Sequence, residues 1–245
     1  MSSATDIEAI ERATLQAVAP ENVETLPGWL LPMDSGTVGR ARSAVPLHHG
    51  APDLALLEPI LARYAAMGFK PAFRLPEVPA FEAFQAALRE RGFVHQQPTL
   101  TQTCPIACLQ PTIPAAAAEL AEAPDAAWMA MFLGEGLDPV DGASRARSLS
   151  RASGTLYASL RENGHTVACG AASLSHGWLG VHGMRTAAAE RGRGLAGRLL
   201  NNMAQEAARR GIRHAFLQVD ASNAPAFSLY RRLGFTTAWA YAYWR

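Results

Sequence analysis

The two halves of this chain repeat one another at a fixed offset. Gly68 and Phe73 in AAMGFKPAFRL stand 143 positions before Gly211 and Phe216 in ARRGIRHAFLQV, and Arg42-Ser43-Ala44 stands 143 before Arg185-Thr186-Ala187. Gly92 and Phe93 of LRERGFV stand 142 before Gly234 and Phe235 of YRRLGFT. Ala and Arg are common in the chain, so low complexity supplies some coincidences. Matches kept in one order, with a single one-residue slip, indicate instead two copies of one α/β unit. Pro105, Pro111, Pro114 and Pro124 punctuate the middle, with Ala115 to Ala118 between them; proline removes a donor and fixes φ. The expected division is residues 1–110, a linker at 111–124, and residues 125–245.

The second copy can be read in detail. TLYASLREN, HTVACGAASLS and GWLGVHGMRT have the apolar content of three strands, the first two joined by a turn at Asn163-Gly164. From Arg193 to Arg210 the apolar residues Leu195, Leu199, Leu200, Met203 and Ala207 recur at helical spacing, and Gly211 fits a left-handed stop. HAFLQVD reads as a buried strand. Ser222 or Asn223 can cap a further helix with Pro225 in its first turn. That helix ends near Gly234, and the aromatic run TTAWAYAYW is a last strand.

Composition narrows the partners. Apolar residues make up 49% and charged residues 18%, enough apolar surface for a core, and the net charge is +1. Such a balance gives no general attraction to nucleic acid or membrane, and Lys70 is the only lysine. The pairs Arg209-Arg210 and Arg231-Arg232 fit solvated helix ends, where they favour the dipole. Cys104, Cys108 and Cys169 have no metal-ligand spacing, so no metal is expected, and they read as free thiols of a reducing compartment. The first residues carry early acids and no apolar run, so no secretory signal is expected, and no stretch approaches the roughly 20 apolar residues of a membrane span. The expectation is a cytoplasmic protein.

The chemistry concentrates in one loop. Arg191-Gly192-Arg193-Gly194-Leu195-Ala196 lies between a strand and a helix. Small residues let a ligand approach the backbone, and the N–H groups at a helix start attract an anion. No Lys-Ser/Thr follows, so the loop is not a Walker A. A Rossmann unit is disfavoured because antiparallel strands precede the loop. Ser228 and Cys169 lack evident His and Asp partners for nucleophilic catalysis, and G-x-S-x-G is absent.

With Arg191, Gly194 and Ala196 matching Arg/Gln-x-x-Gly-x-Gly/Ala, and with Asn223 and Tyr230 in NAPAFSLYRRLGF, the sequence resembles the GNAT superfamily of acetyl-CoA-dependent N-acetyltransferases. The likeness is specific over residues 150–245 and weaker over 29–104, as in tandem members with one degenerate repeat. It implies two tandem α/β units, each a mixed, largely antiparallel central sheet flanked by helices. Residues 1–110 would be the degenerate unit and 125–245 the catalytic one. It also implies acetyl-CoA as cosubstrate. The pantetheine arm would lie against the backbone of Met184, Arg185 and Thr186, and the pyrophosphate on Arg193 to Gly197 beside Arg191 and Gly192. Asn223 would contact the arm or a nearby carbonyl. Carried back by 143, the loop falls on His48-His49-Gly50-Ala51-Pro52-Asp53. There Pro52 lacks a donor and Asp53 repels an anion. Tyr230 falls on Leu88, and Asn223 on Ala80 or Phe81.

The reaction implied is direct attack by a primary amine in a ternary complex, the amine belonging to a small molecule, amino acid or peptide. Tyr230 has a pKa suited to protonating a leaving thiolate, and His182, on the strand before the loop, titrates in the range of a general base. Trp128, Met129, Met131 and Phe132 could line an apolar pocket or simply form core, and Glu135, Asp138 and Asp141 could attract a cationic amine or be solvated. The rival reading is a non-catalytic acyl-CoA-binding sensor or assembly module, and a longer acyl donor is a third. Acceptor identity and oligomeric state stay open, a homodimer included.

Overall fold

In the computed structural model, which describes residues 4–109, 118–134 and 136–245, the first copy runs α1 (Ala4–Val18), β1 (Asn22–Leu26), β2 (Trp29–Met33), β3 (Val45–Pro46), α2 (Leu57–Ala66), β4 (Phe73–Pro76), α3 (Glu82–Glu90) and β5 (His95–Pro105). The second runs β6 (Glu119–Ala121), α4 (Ala126–Ala130), α5 (Pro139–Ser150), β7 (Thr155–Glu162), β8 (His165–Ser175), β9 (Trp178–Thr186), α6 (Leu195–Arg209), β10 (His214–Asp220), α7 (Ala224–Arg232) and β11 (Thr236–Trp244). The offset glycines recur in one role: Gly68 and Gly211 end α2 and α6, and Gly92 and Gly234 end α3 and α7, all with positive φ. Lacking Cβ, glycine adopts that conformation without strain.

One mixed sheet holds most of the strands, in the order β4-β11-β5-β10-β9-β8-β7-β6, and β1-β2-β3 form a small sheet beside β4. Within the large sheet only β9 and β10 pair in parallel, joined by α6; the other pairings are antiparallel. The two copies exchange their last strands. β5 lies between β10 and β11, and β11 lies between β5 and β4. The two tandem α/β units thus join their strands in one continuous mixed, largely antiparallel sheet. Repeat periodicity cannot reveal this, because a swapped strand keeps its sequence and changes only its neighbours. The stretch expected as linker, 111–124, holds β6, which pairs with β7; residues 111–117 lie outside the described residues.

Alternation along the strands sets the two faces. Ala215, Leu217 and Val219 face the core containing Leu199, Met203 and Tyr230 of α6 and α7. Phe216, with Trp239, Tyr241 and Tyr243 of β11, meets Ile7 and Ile10 of α1 on the other face. Cys169 and Ala171 of β8 meet Trp128 of α4, Phe132 of the turn after it, and Leu149 of α5. α1 is fixed to the sheet by Glu11, whose carboxylate takes two hydrogen bonds from Arg74 of β4, both side chains being buried. No described helix is long and apolar enough to cross a membrane.

Candidate active site in the gap between two parallel strands

β9 and β10 begin as neighbours and then part. Their pairing runs from Trp178↔His214 to Val181↔Leu217 and stops, although β9 continues to Thr186 and β10 to Asp220. A bulge in β9 sits at the fork: Ala171 faces His182 while Cys169 faces Arg185, so three steps on β9 match two on β8. Gly183 takes φ +60 there, and a Cβ on it would come within 2.6 Å of Leu149 Cδ1. Only glycine fits both demands. Past Val181, no residue of β9 has a register partner on β10.

The gap opens into a cavity of about 480 Å³ lined by both copies. Asn223 and Tyr230 reach it from α7, and His182, Met184 and Arg185 from β9. Thr37 to Arg40, Gln97 and Thr99 come from the first copy, and Tyr241, Tyr243 and Arg245 from the chain's end. The individual residues of the wall from the first copy carry no motif, so the sequence does not single them out.

Beyond the fork lies the glycine loop. Gly192 and Gly194 have φ +82 and +73, and a Cβ on Gly192, Gly194 or Gly197 would meet no atom within 4 Å. Gly194 precedes α6 and no side chain caps it. The first helical bond there runs from Arg198 N–H to the Gly194 carbonyl, so the N–H groups of Leu195, Ala196 and Gly197 precede the helix's own ladder. Leu195 is buried in the α6 core and anchors the turn, whereas Arg191 to Gly194 are exposed. The Arg193 guanidinium is tied to Glu162, 2.9 Å away, and to Glu190, so this residue offers its backbone and not its charge. Gly192, Gly194 and Gly197 also satisfy the dinucleotide spacing, but β8 runs antiparallel to β9, so the parallel sheet that motif requires is missing. The matching turn of the first copy is closed: Asp53 accepts from the Ala55 N–H at 2.9 Å, and a carboxylate occupies the place an anion would take. Leu88, opposite Tyr230 in the repeat, is packed in the core.

The other expected site residues divide clearly. Met184 turns toward α6, where Gly170 leaves room for its sulfur beside Met203. Arg185 turns to the opposite face and lies over the Phe132 ring, 5.0 Å from its centroid. Thr186 pairs with Ala168 at the end of β9. Asn223 caps α7, its Oδ1 accepting from Ala226 N–H at 3.2 Å, and the side-chain NH₂ makes no hydrogen bond to any described residue. Tyr230 is 9% exposed and packs edge-on against Phe235. Burial pushes its pKa up, against a smaller opposing pull from Arg185, so the phenol keeps its proton at neutral pH. Asp138 caps α5 and Asp141 binds Arg145 and Thr37; neither is a free charge for an amine. Glu135 lies outside the described residues. Trp128 and Phe132 are core, and Phe132 also borders the cavity.

His182 is 3% exposed, lies edge-on to Phe216, and neither ring nitrogen has a partner among the described residues. Burial, helped by the Arg40 charge, drives its pKa well below the usual value. His49, beside Trp239, is lowered to about 4 by burial, His48 and Arg74. For a histidine with a depressed folded pKa, the unfolded chain takes the proton first. Stability is then full above pH of about 6.5 and falls as pH drops toward 4. We expect the melting temperature to fall between pH 7 and pH 5, and to fall less in His49→Asn. Equal loss in both proteins would remove His49 from the cause.

With this geometry in view, known proteins can be compared. A family model described as "Probable histone acetyltransferase Rv0428c C-terminal" matches residues 4–244. The chain belongs to this family. Among solved structures, a GCN5-related N-acetyltransferase from Kribbella flavida is similar with a TM-score of 0.69 at 20% identity, over 97% of this chain and 94% of that one. One from Sphaerobacter thermophilus has a TM-score of 0.56 at 17% identity, over 99% and 93%. A tandem GNAT protein from the clavulanic acid biosynthesis pathway has 0.59 at 16% identity, over 99% and 96%. No curated protein sequence matches significantly. At these identities the structures establish the fold, and the fold of this family member is that of a tandem GNAT acetyltransferase.

Proposed function

We propose that the protein transfers an acetyl group from acetyl-CoA to a primary amine by direct attack. The observation that carries this reading is the succession of three features in one stretch of chain: a fork between parallel strands that opens into a cavity, open glycines, and an uncapped helix start. The N–H groups of Arg193 to Gly197 would hold the diphosphate, with Arg191 and Gly192 at the rim. The freed backbone of Met184, Arg185 and Thr186 would bind the amides of the pantetheine arm, and Asn223 would donate its NH₂ to the same arm. Acetyl-CoA supplies the activated acetyl thioester. The division of labour follows the repeat. Residues 125–245 carry the chemistry, 111–124 join the units, and 1–110, with the helix plugged by Asp53, form one wall of the acceptor cavity.

Burial changes the role expected of His182. With its pKa well below the usual value, the imidazole is a poor terminal acceptor for an alkylammonium proton. Its neutral ring instead accepts a hydrogen bond from an amine that arrives uncharged and turns the lone pair toward the fork. Acceptor kcat/KM should then rise with pH without an inflection near 6.5. Tyr230 holds its proton at Oη beside the fork, where a departing sulfur needs one.

The test is release of free thiol from acetyl-CoA across a panel of amines. Tyr230→Phe should lower kcat at least tenfold while coenzyme affinity changes little; unchanged turnover would take the acid role from Tyr230. Coenzyme binding with no turnover of any amine or basic peptide would favour a sensor. Protein lysines, suggested by the description of the family, belong in the panel as peptides.

A further inference from the structure

The cavity holds more positive charge than its own carboxylates neutralise. Arg40, Arg145, Arg185 and Arg245 line it against Asp141 and Asp220. Both acids are engaged: Asp141 accepts from Arg145 at 2.5 Å and from Thr37, and Asp220 accepts from the N–H and hydroxyl of Ser222. Arg40 donates to the amide oxygen of Gln218 at 2.7 Å. Arg245 is exposed, and of the three part-buried arginines Arg185 is the least satisfied. One Nη donates to the Met184 carbonyl at 3.2 Å, Nε is buried without a partner, and no carboxylate among the described residues forms an ion pair with it. Burial, and then the neighbouring charge of Arg145, disfavours its cationic form.

A guanidinium in that position is stable when an anion completes it, and its planar fork suits a carboxylate. The coenzyme's diphosphate is not that anion in the reading above, on which this inference rests. The diphosphate lies at the start of α6, the side to which Met184 turns, whereas the Arg185 side chain faces Phe132 and α5. The unpartnered ring nitrogens of His182 border the same cavity and would receive the amine.

We propose that Arg185 binds a carboxylate carried by the acceptor, so that the acceptor is a small amino-carboxylate and not a lysine-rich peptide. Each arginine without a carboxylate would repel a basic tail, while an amino-carboxylate brings the missing negative charge and an amine on one short frame.

The experiment compares kcat/KM for amino acids of graded length with their decarboxylated amines and with a lysine-rich peptide, at saturating acetyl-CoA. Wild type should prefer one amino acid over its decarboxylated partner at least tenfold. Arg185→Gln should bring that ratio close to one, mainly through KM, and Arg185→Lys should restore part of it. A general loss of structure would lower both rates and leave the ratio intact. In parallel, the wild-type melting temperature is measured with each compound, and only the amino acid should raise it. A ratio unchanged in Arg185→Gln, a preference for the peptide, or a loss of coenzyme affinity as large as that of the acceptor would overturn the assignment. If no amine is acetylated, the transferase reading fails, and the wild-type thermal shift still decides whether a carboxylate binds.

Discussion

Ala196→Asp should weaken coenzyme A binding about 100-fold while leaving the fold intact. The substitution copies into the second unit the residue that the first already has, since Ala196 and Asp53 stand 143 positions apart. In the first unit that carboxylate accepts from a backbone N–H of its own turn. At Ala196, in the first turn of α6, it would stand beside N–H groups that no side chain caps, and it would place a negative charge beside the proposed diphosphate. Two unit charges 5–6 Å apart repel by about 3 kcal/mol at an effective dielectric of about 20, and about 1.4 kcal/mol is tenfold in affinity. The repulsion acts near solvent, so it should weaken as salt is added. An acidic residue in the first turn stabilises a helix by roughly 0.3–1 kcal/mol, so the melting temperature should hold or rise slightly. Titration calorimetry with coenzyme A measures the affinity, and Ala196→Asn, similar in shape but uncharged, should lose less than tenfold. An aspartate variant that binds as tightly as wild type would put the diphosphate elsewhere.

Much of this site could be read before the structure because its chemistry is local. Gly194 and Gly211 mark positions where φ must be positive, Asn223 and Pro225 mark a helix start, and Tyr230 sits on the helix that follows; each signal lies within a few residues of its effect. Closing the first unit was legible for the same reason, since Pro52 and Asp53 act on the turn that holds them. The exchange of β5 and β11 was not. Thr99 pairs with Asp220 on one side and Tyr241 on the other, and neither contact leaves a period or spacing in the chain. The unpaired guanidinium of Arg185 was hidden likewise, because a charge is unbalanced only relative to neighbours brought from distant segments. His182 lies between these cases. Its place on β9 was legible, but the burial that removes its basicity depends on α1 and Phe216.

The largest stability effect is expected at Glu11, far from any motif. Its carboxylate and the Arg74 guanidinium form a buried pair on the α1 face of the sheet, with the Tyr241 ring 5.0 Å from the guanidinium carbon. One contact thus ties α1 to β4 of the first copy and β11 of the second. Glu11→Ala leaves a buried guanidinium whose Nε already lacks a partner. Breaking such a pair from one side costs about 3–5 kcal/mol, because the remaining charge stays desolvated and unpaired. In a protein of this size that corresponds to a melting temperature lower by about 10 °C. The pair itself need not be a large net gain over apolar packing, so the double variant Glu11→Leu with Arg74→Met should be more stable than Glu11→Ala alone. Denaturant unfolding of the three proteins separates the cases: a Glu11→Ala loss below about 1 kcal/mol is what a solvated surface pair would give. The consequence reaches the site, since α1 ends at Val18, which borders the cavity, and Thr14 accepts from the Gln218 amide at 3.4 Å. A loosened α1 frees Gln218, and with it the only hydrogen-bond acceptor that Arg40 has among the described residues.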